Sequence, residues 1–146
     1  MKKISFLLIT GLILLSCKKF DQGGLVSKTS KNLEDKTWKL DKYYRDGVDE
    51  TTMLLITNFE ETFNNDGSLM RSYTDNDGEQ VSETGKWTSQ KDDKLLKISD
   101  VSSIDLLDEI STVSSSEYNI LKLKKDEFWY TYENGGSTHE FRMVKK

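Results

Sequence analysis

The sequence predicts an all-β domain, an antiparallel meander arranged as a barrel or a sandwich. Three observations predict it. Eight short segments carry alternating apolar and polar residues, at about 37–44, 58–63, 68–74, 79–89, 94–99, 117–123, 127–132 and 137–144. Turn-forming residues separate them at regular spacing. The chain has no proline to interrupt a strand and six Phe, six Tyr and three Trp to fill a core.

Taken in order, the chain opens with Lys2 and Lys3, then an apolar run from Ile4 to Leu15 broken only by Ser5, Thr10 and Gly11. A charged start, a short apolar stretch and a small residue at the cut describe a secretory signal. The run is short of the roughly 20 apolar residues of a membrane-spanning helix. Its ending, Leu14-Leu15-Ser16-Cys17, resembles the lipobox of bacterial lipoproteins. That resemblance implies cleavage after Ser16, a lipid on the Cys17 sulfur and acylation of the new amino terminus. Cys17 is the only cysteine, so no intramolecular disulfide can form. Lys18 and Lys19 follow it with no Asp directly after the cysteine, so the expected address is the outer membrane, facing periplasm or exterior.

The expected organisation is a signal at 1–16, a lipidated Cys17 with a flexible polar tether to residue 32, and one domain over 33–146. As a random coil the tether, with Gly23-Gly24 and several Ser, Thr and Lys, would span roughly 20 Å. The signal holds two of the 21 basic residues and none of the 25 acidic ones, which leaves 19 against 25 and a mature charge of −6. A negative chain argues against a nucleic-acid partner, which needs a basic face.

The turns set the strand register. Asn64-Asn65-Asp66-Gly67 and Asp75-Asn76-Asp77-Gly78 share a pattern in which an Asx opens a type I turn and glycine supplies the left-handed residue. With loops of about three residues, Phe63 faces Leu69, Glu61 faces Arg71 and Phe59 faces Tyr73. The second turn sets Tyr73 opposite Val81, Arg71 opposite Glu83 and Leu69 opposite Gly85. One face then carries Phe59, Phe63, Leu69, Tyr73, Val81 and Trp87. The other carries Glu60, Thr62, Met70, Ser72, Thr74, Gln80, Ser82, Thr84 and Lys86, as expected of a sheet with one side on a core. Asn134-Gly135 as a type I′ loop pairs Tyr130 with His139 and Phe128 with Phe141. Weaker turns at 45–47, 91–94 and 124–127 set Trp87 opposite Ile98, Leu123 opposite Phe128 and Leu121 opposite Tyr130. Residues 49–57 read as a strand or a short lid helix, and 102–112 as a weakly spaced helix.

From about Leu33 to its end the chain resembles the small lipocalin-like lipoproteins of bacteria. The matching residues are Leu33 with Thr37-Trp38-Lys39-Leu40, Phe63 to Gly67 as Phe-x-x-Asp-Gly, Gly85-Lys86-Trp87, and Tyr118 to Leu123 before the last hairpin. The resemblance implies an up-and-down antiparallel barrel of about eight strands with room for a small ligand. Two positions depart from lipocalins. Lys36 stands where they carry glycine before the first-strand Trp. Arg142, the candidate for the arginine that crosses that Trp, falls on the outer face with Glu140.

The candidate ligand-binding residues are Glu61, Arg71, Glu83, Tyr73, Trp87, Tyr130 and His139. Glu61, Arg71 and Glu83 fall side by side on an otherwise apolar face, where buried charge must be paired. They would either orient a ligand's polar head group or form a cross-strand ladder at the rim. His139, the only histidine, would line a cavity beside Tyr130 or be satisfied within the rim or core. Trp87, Phe128, Tyr130 and Phe141 would stack a ligand or fill the barrel. One histidine and one lipidated cysteine leave no material for a His-based zinc site or a Cys–His nucleophile pair. The Asp-Gly turns do not fit a calcium loop, because Thr62 and Tyr73 stand at its first position. The serines lack a nucleophile elbow. The expectation is a membrane-anchored, non-enzymatic binding lipoprotein without catalytic residues, metal or cofactor, holding a small apolar or amphiphilic ligand. The alternative is a filled barrel acting as an interaction or structural lipoprotein through its outer surface or loops, with a protein partner still to be identified.

Overall fold

A computed structural model describes residues 18–90, 94–101 and 115–146. The signal, Cys17 and the helix expected at 102–112 lie outside them. A 3-10 turn, Val26–Lys28, and a short helix α1, Thr29–Leu33, precede the strands. These are β1 (Lys36–Arg45), β2 (Val48–Asp49), β3 (Thr57–Phe63), β4 (Ser68–Thr74), β5 (Gln80–Gln90), β6 (Leu95–Ser99), β7 (Ser115–Leu123), β8 (Glu127–Asn134) and β9 (Ser137–Lys145). Each neighbour in the order β1-β3-β4-β5-β6-β7-β8-β9 pairs antiparallel, and β9 returns to β1, closing an eight-stranded up-and-down barrel. The two-residue β2 is an added hairpin arm on the end of β1. Closure removes every free edge except that arm's, and so decides between the barrel and the sandwich.

The register of the first two hairpins is as expected near their turns. Phe63 pairs with Leu69, Glu61 with Arg71 and Thr62 with Met70 across β3–β4. Tyr73 pairs with Val81, Arg71 with Glu83 and Leu69 with Gly85 across β4–β5, and Trp87 with Ile98 across β5–β6. Alternation then buries Phe59, Glu61, Phe63, Leu69, Arg71, Tyr73 and Trp87 while Met70, Ser82, Thr84 and Lys86 stay outside.

Four expected pairs are corrected. The register slips between Thr57 and Glu60, where Asn58 takes φ 53°, so Phe59 is not held opposite Tyr73. A second slip between Ile120 and Lys122 pairs Ile120, rather than Leu121, with Tyr130. A third lies in β1 between Leu40 and Lys42. Such bulges bend a strand and increase its twist, which a closing barrel requires. The last hairpin turns on Gly135-Gly136, not Asn134-Gly135. A type I′ turn needs positive φ at both central residues, and these glycines have 59° and 86°. Asn134 therefore stays in the ladder opposite Ser137, Tyr130 faces Phe141, Phe128 faces Met143 and Tyr132 faces His139. The offset is two residues, so the inward set is unchanged.

The tether expected over 17–32 is also corrected for its described part. Phe20 (3% exposed), Val26, Thr29 and Leu33 are buried. Gln22 N–H donates to the Leu121 carbonyl at 2.8 Å, and Leu123 N–H to the Gly23 carbonyl at 3.1 Å. A Cβ on Gly24 would sit 1.9 Å from the Leu123 carbonyl oxygen, so only glycine admits this approach. Polar composition suggested a coil, but four well-spaced apolar or small residues suffice to seal the barrel end. We call that end, with the 64–67 and 124–126 turns and the carboxyl terminus, the closed end. At the opposite end, residues 49–57 form one 3-10 turn, Thr51–Met53, between β2 and an extended approach to β3, with Ile56 buried.

Candidate functional site

The inward face of β3 and β4 carries two charges where alternation would place apolar side chains. Glu61 is 0% and Arg71 4% exposed. Arg71 donates to Glu61 Oε1 through Nε at 3.0 Å and Nη2 at 2.7 Å. Across the barrel, the Tyr130 hydroxyl of β8 donates to Glu61 Oε2 at 2.9 Å. Both carboxylate oxygens are thus satisfied inside the fold, as a buried charge requires. Burial works most strongly against the Arg71 charge, but the facing Glu61 carboxylate, its hydrogen bond and the nearby Tyr118 and Tyr130 hydroxyls together outweigh it and hold the guanidinium protonated. The Arg71 guanidinium also lies 5.6 Å from the Phe59 ring centroid. Burial, then the Glu61 charge, push the Tyr130 hydroxyl well above its ordinary pKa, so it remains a donor. Glu83 stands opposite Arg71 on the other neighbouring strand and is half-buried.

The remaining candidates are placed apart from that cluster. Trp87 lies by the closed end, its Nε1–H donating to the Asn64 carbonyl at 2.9 Å and its ring meeting Phe63 edge-on at 5.6 Å. His139 is beside Tyr132, not Tyr130: the rings stack at 4.6 Å and 11°. Its Nδ1 shares a 2.7 Å hydrogen bond with the Tyr43 hydroxyl. Burial lowers the His139 pKa below its ordinary value and raises that of Tyr43 to about 12. Tyr73 is buried towards the end opposite the closed one, cross-strand from Val81.

Between these points aromatic rings occupy the interior in sequence. Trp38 meets Phe128 at 5.5 Å, Phe128 meets Tyr130 at 4.9 Å, and Tyr130 stacks on Phe141 at 5.1 Å. Tyr118 meets both Tyr130 and Tyr132 edge-on, at 5.3 and 5.4 Å. Chemically, the arrangement holds a charge pair fixed. Among the described residues, no group of three His, Cys, Asp or Glu is positioned to hold a metal ion.

Two features escaped the sequence reading. The Tyr43–His139 bond spans 96 residues and has no local signature. On the outer face, Trp129 lies between Lys122 (3.9 Å) and Arg142 (4.3 Å), and Arg142 also covers Tyr44 at 4.2 Å. Arg142 is held there by Glu140 at 2.7 Å, so it is an outward residue, as its alternation with Phe141 and Met143 required. The cross-strand pairing of Trp129 with both Lys122 and Arg142 is the signal that would have found this strip.

Comparison with solved structures identifies the fold. A lipocalin-like protein from Bacteroides uniformis ATCC 8492 matches at TM-score 0.51 and 17% identity, over 76% of this chain and 97% of that one. An uncharacterized protein from Bacteroides eggerthii DSM 20697 matches at TM-score 0.45 and 12% identity, over 73% of this chain and 96% of that one. No family model matches the chain, and no curated protein does. At 17% identity the first likeness is one of fold: the barrel is lipocalin-like.

Proposed function

We propose that the chain is a lipid-anchored, non-enzymatic protein of the bacterial envelope whose lipocalin-like barrel is filled by its own side chains and acts as a rigid scaffold. One observation carries this reading: the polar atoms best suited to greet a ligand are already engaged. Both Glu61 oxygens, the Tyr130 hydroxyl, the Trp87 indole N–H and His139 Nδ1 are bonded within the fold. A ligand would have to replace those bonds in a low-dielectric interior, where an unmade bond costs about 1–3 kcal/mol per group. The Leu-Leu-Ser-Cys sequence before Lys18 supports the anchor, and Lys18 in place of an Asp directly after the cysteine supports the outer-membrane address. The outer surface and the barrel ends then carry the work.

A second reading keeps a small amphiphilic ligand at the end opposite the closed one. The half-buried Glu83 beside Arg71, with Tyr73 and Val81 nearby, favours it. Native mass spectrometry on the protein isolated from envelopes, before and after incubation with a bacterial lipid extract, separates the two. The filled scaffold gives the bare mass of protein plus anchor and an unchanged Tm. A retained adduct that disappears in Tyr73→Ala and Glu83→Gln would overturn it in favour of the carrier.

A further inference from the structure

Charge is segregated along the barrel axis. The closed end gathers residues 18–36, 64–67, 124–127 and 145–146, which hold nine lysines against six Asp and Glu side chains. The opposite end, residues 45–57, 74–80 and 133–137, holds one arginine against seven carboxylates. Hydrogen bonds tie the closed-end segments into one surface. Asp35 N–H reaches the Phe63 carbonyl at 2.7 Å, Lys145 N–H the Asp126 carbonyl at 3.2 Å, and Lys146 N–H the Thr37 carbonyl at 3.0 Å.

Three of the carboxylates at this end are engaged by neighbours. Asp35 accepts from Asn65 N–H and Nδ2 at 3.2 and 3.0 Å, Asp66 from Ser68 N–H at 2.9 Å, and Glu127 from Lys122 at 2.7 Å. The lysines are in excess: among the described residues no carboxylate lies within 4 Å of Lys19, Lys28, Lys31, Lys125 or Lys145, and all five are exposed. Their crowding registers on Lys36, whose pKa is lowered first by burial and then by Lys145, Lys125 and Lys31, against the pull of Asp126.

The chain enters the fold at this same end. The Lys18 carbonyl accepts from Val26 N–H at 3.1 Å, Lys19 bridges to Leu25, and Phe20 is buried. Cys17 is one peptide unit away, about 3.8 Å between Cα atoms. A lipid on Cys17 would therefore hold the closed end close to the headgroups.

We propose that the lysine-rich closed end is a membrane-docking face that seats on anionic phospholipid headgroups, so that the acidic end points away from the bilayer. This rests on the lipid anchor proposed above. Anionic surfaces attract basic groups within a Debye length, about 8 Å at physiological salt, and repel the acidic end. Anchor and charge thus fix a single orientation.

The test uses the protein isolated from envelopes, reconstituted on vesicles of phosphatidylglycerol with phosphatidylcholine or of phosphatidylcholine alone, with lysine acetylation read by mass spectrometry. We expect acetylation of Lys31, Lys125 and Lys145 to slow about fivefold or more on the anionic vesicles, with Lys42 and Lys97 unchanged. The protection should vanish at 0.5 M salt, where the Debye length falls to about 4 Å. It should also vanish at the remaining lysines in Lys28→Gln/Lys125→Gln/Lys145→Gln, whose exposed sites leave the fold intact. Equal labelling on both vesicle types overturns the docking face while leaving the anchor in place. A Cys17 peptide without acyl mass overturns the anchor instead. Co-sedimentation of that unacylated protein with phosphatidylglycerol vesicles at low salt then decides the docking face: sedimentation keeps it and none overturns it.

Discussion

Replacing Arg71 by Met keeps an unbranched apolar stem but removes the guanidinium and with it both hydrogen bonds to Glu61 Oε1. Glu61, fully buried, would keep only the Tyr130 hydroxyl. Breaking a buried pair by removing one partner costs about 3–5 kcal/mol, because an uncompensated charge stays behind. For a chain of this size that corresponds to a Tm lowered by about 10–15 °C. The second half of the argument is the double variant Glu61→Leu/Arg71→Met. It removes both charges and should recover most of that loss or exceed the parent by about 1–4 kcal/mol, as apolar replacements of buried pairs do. Urea unfolding followed by tryptophan fluorescence, run as a double-mutant cycle, gives the coupling directly. A single-variant loss below 1 kcal/mol would mean that the pair is solvated, and a double variant as unstable as the single would mean that the charges are structurally indispensable. Either result refutes the filled, self-neutralised interior.

Four further outcomes follow from particular residues. Phe20→Ala should cost about 3–5 kcal/mol if residues 18–33 seal the barrel, and nothing if they are a free tether; thermal unfolding distinguishes these. Because burial depresses the His139 pKa, the unfolded chain binds its proton first. Stability should therefore fall as pH drops below about 6.5, and His139→Gln should flatten this portion of the pH–stability curve. The raised Tyr130 and Tyr43 values act at the other extreme, with stability falling as pH rises past about 10 and less so in Tyr43→Phe. Gly136→Val, at φ 86°, should cost at least about 1–2 kcal/mol by equilibrium unfolding, whereas the same change at a tolerant loop site would cost almost nothing.

Much of the architecture was legible because its determinants are local. Alternation at 58–63, 68–74 and 79–89 with two Asp-Gly turns set both the strands and the facing of Glu61, Arg71 and Glu83, since a one-residue slip would turn every core residue outward. The bulges at Asn58 and near Leu121 have no such signal. They answer to the curvature of a closed barrel, which exists only once β9 meets β1. Gly135-Gly136 was ambiguous for a different reason: Asn-Gly and Gly-Gly both satisfy a type I′ turn, and the choice rests on the packing of Tyr130 against Phe141.

The sequence alone determined that this chain forms a one-sided antiparallel sheet with charges on its inner face, and that Leu14-Leu15-Ser16-Cys17 resembles a lipobox. These are properties of period, turn chemistry and short motifs. Only the tertiary structure decided that the sheet closes, that Glu61 is satisfied from both β4 and β8, and that residues 18–33 seal one end. It alone gathered lysines from three separate segments at that end. Each of these depends on contacts between residues far apart in the chain, and no local pattern encodes them.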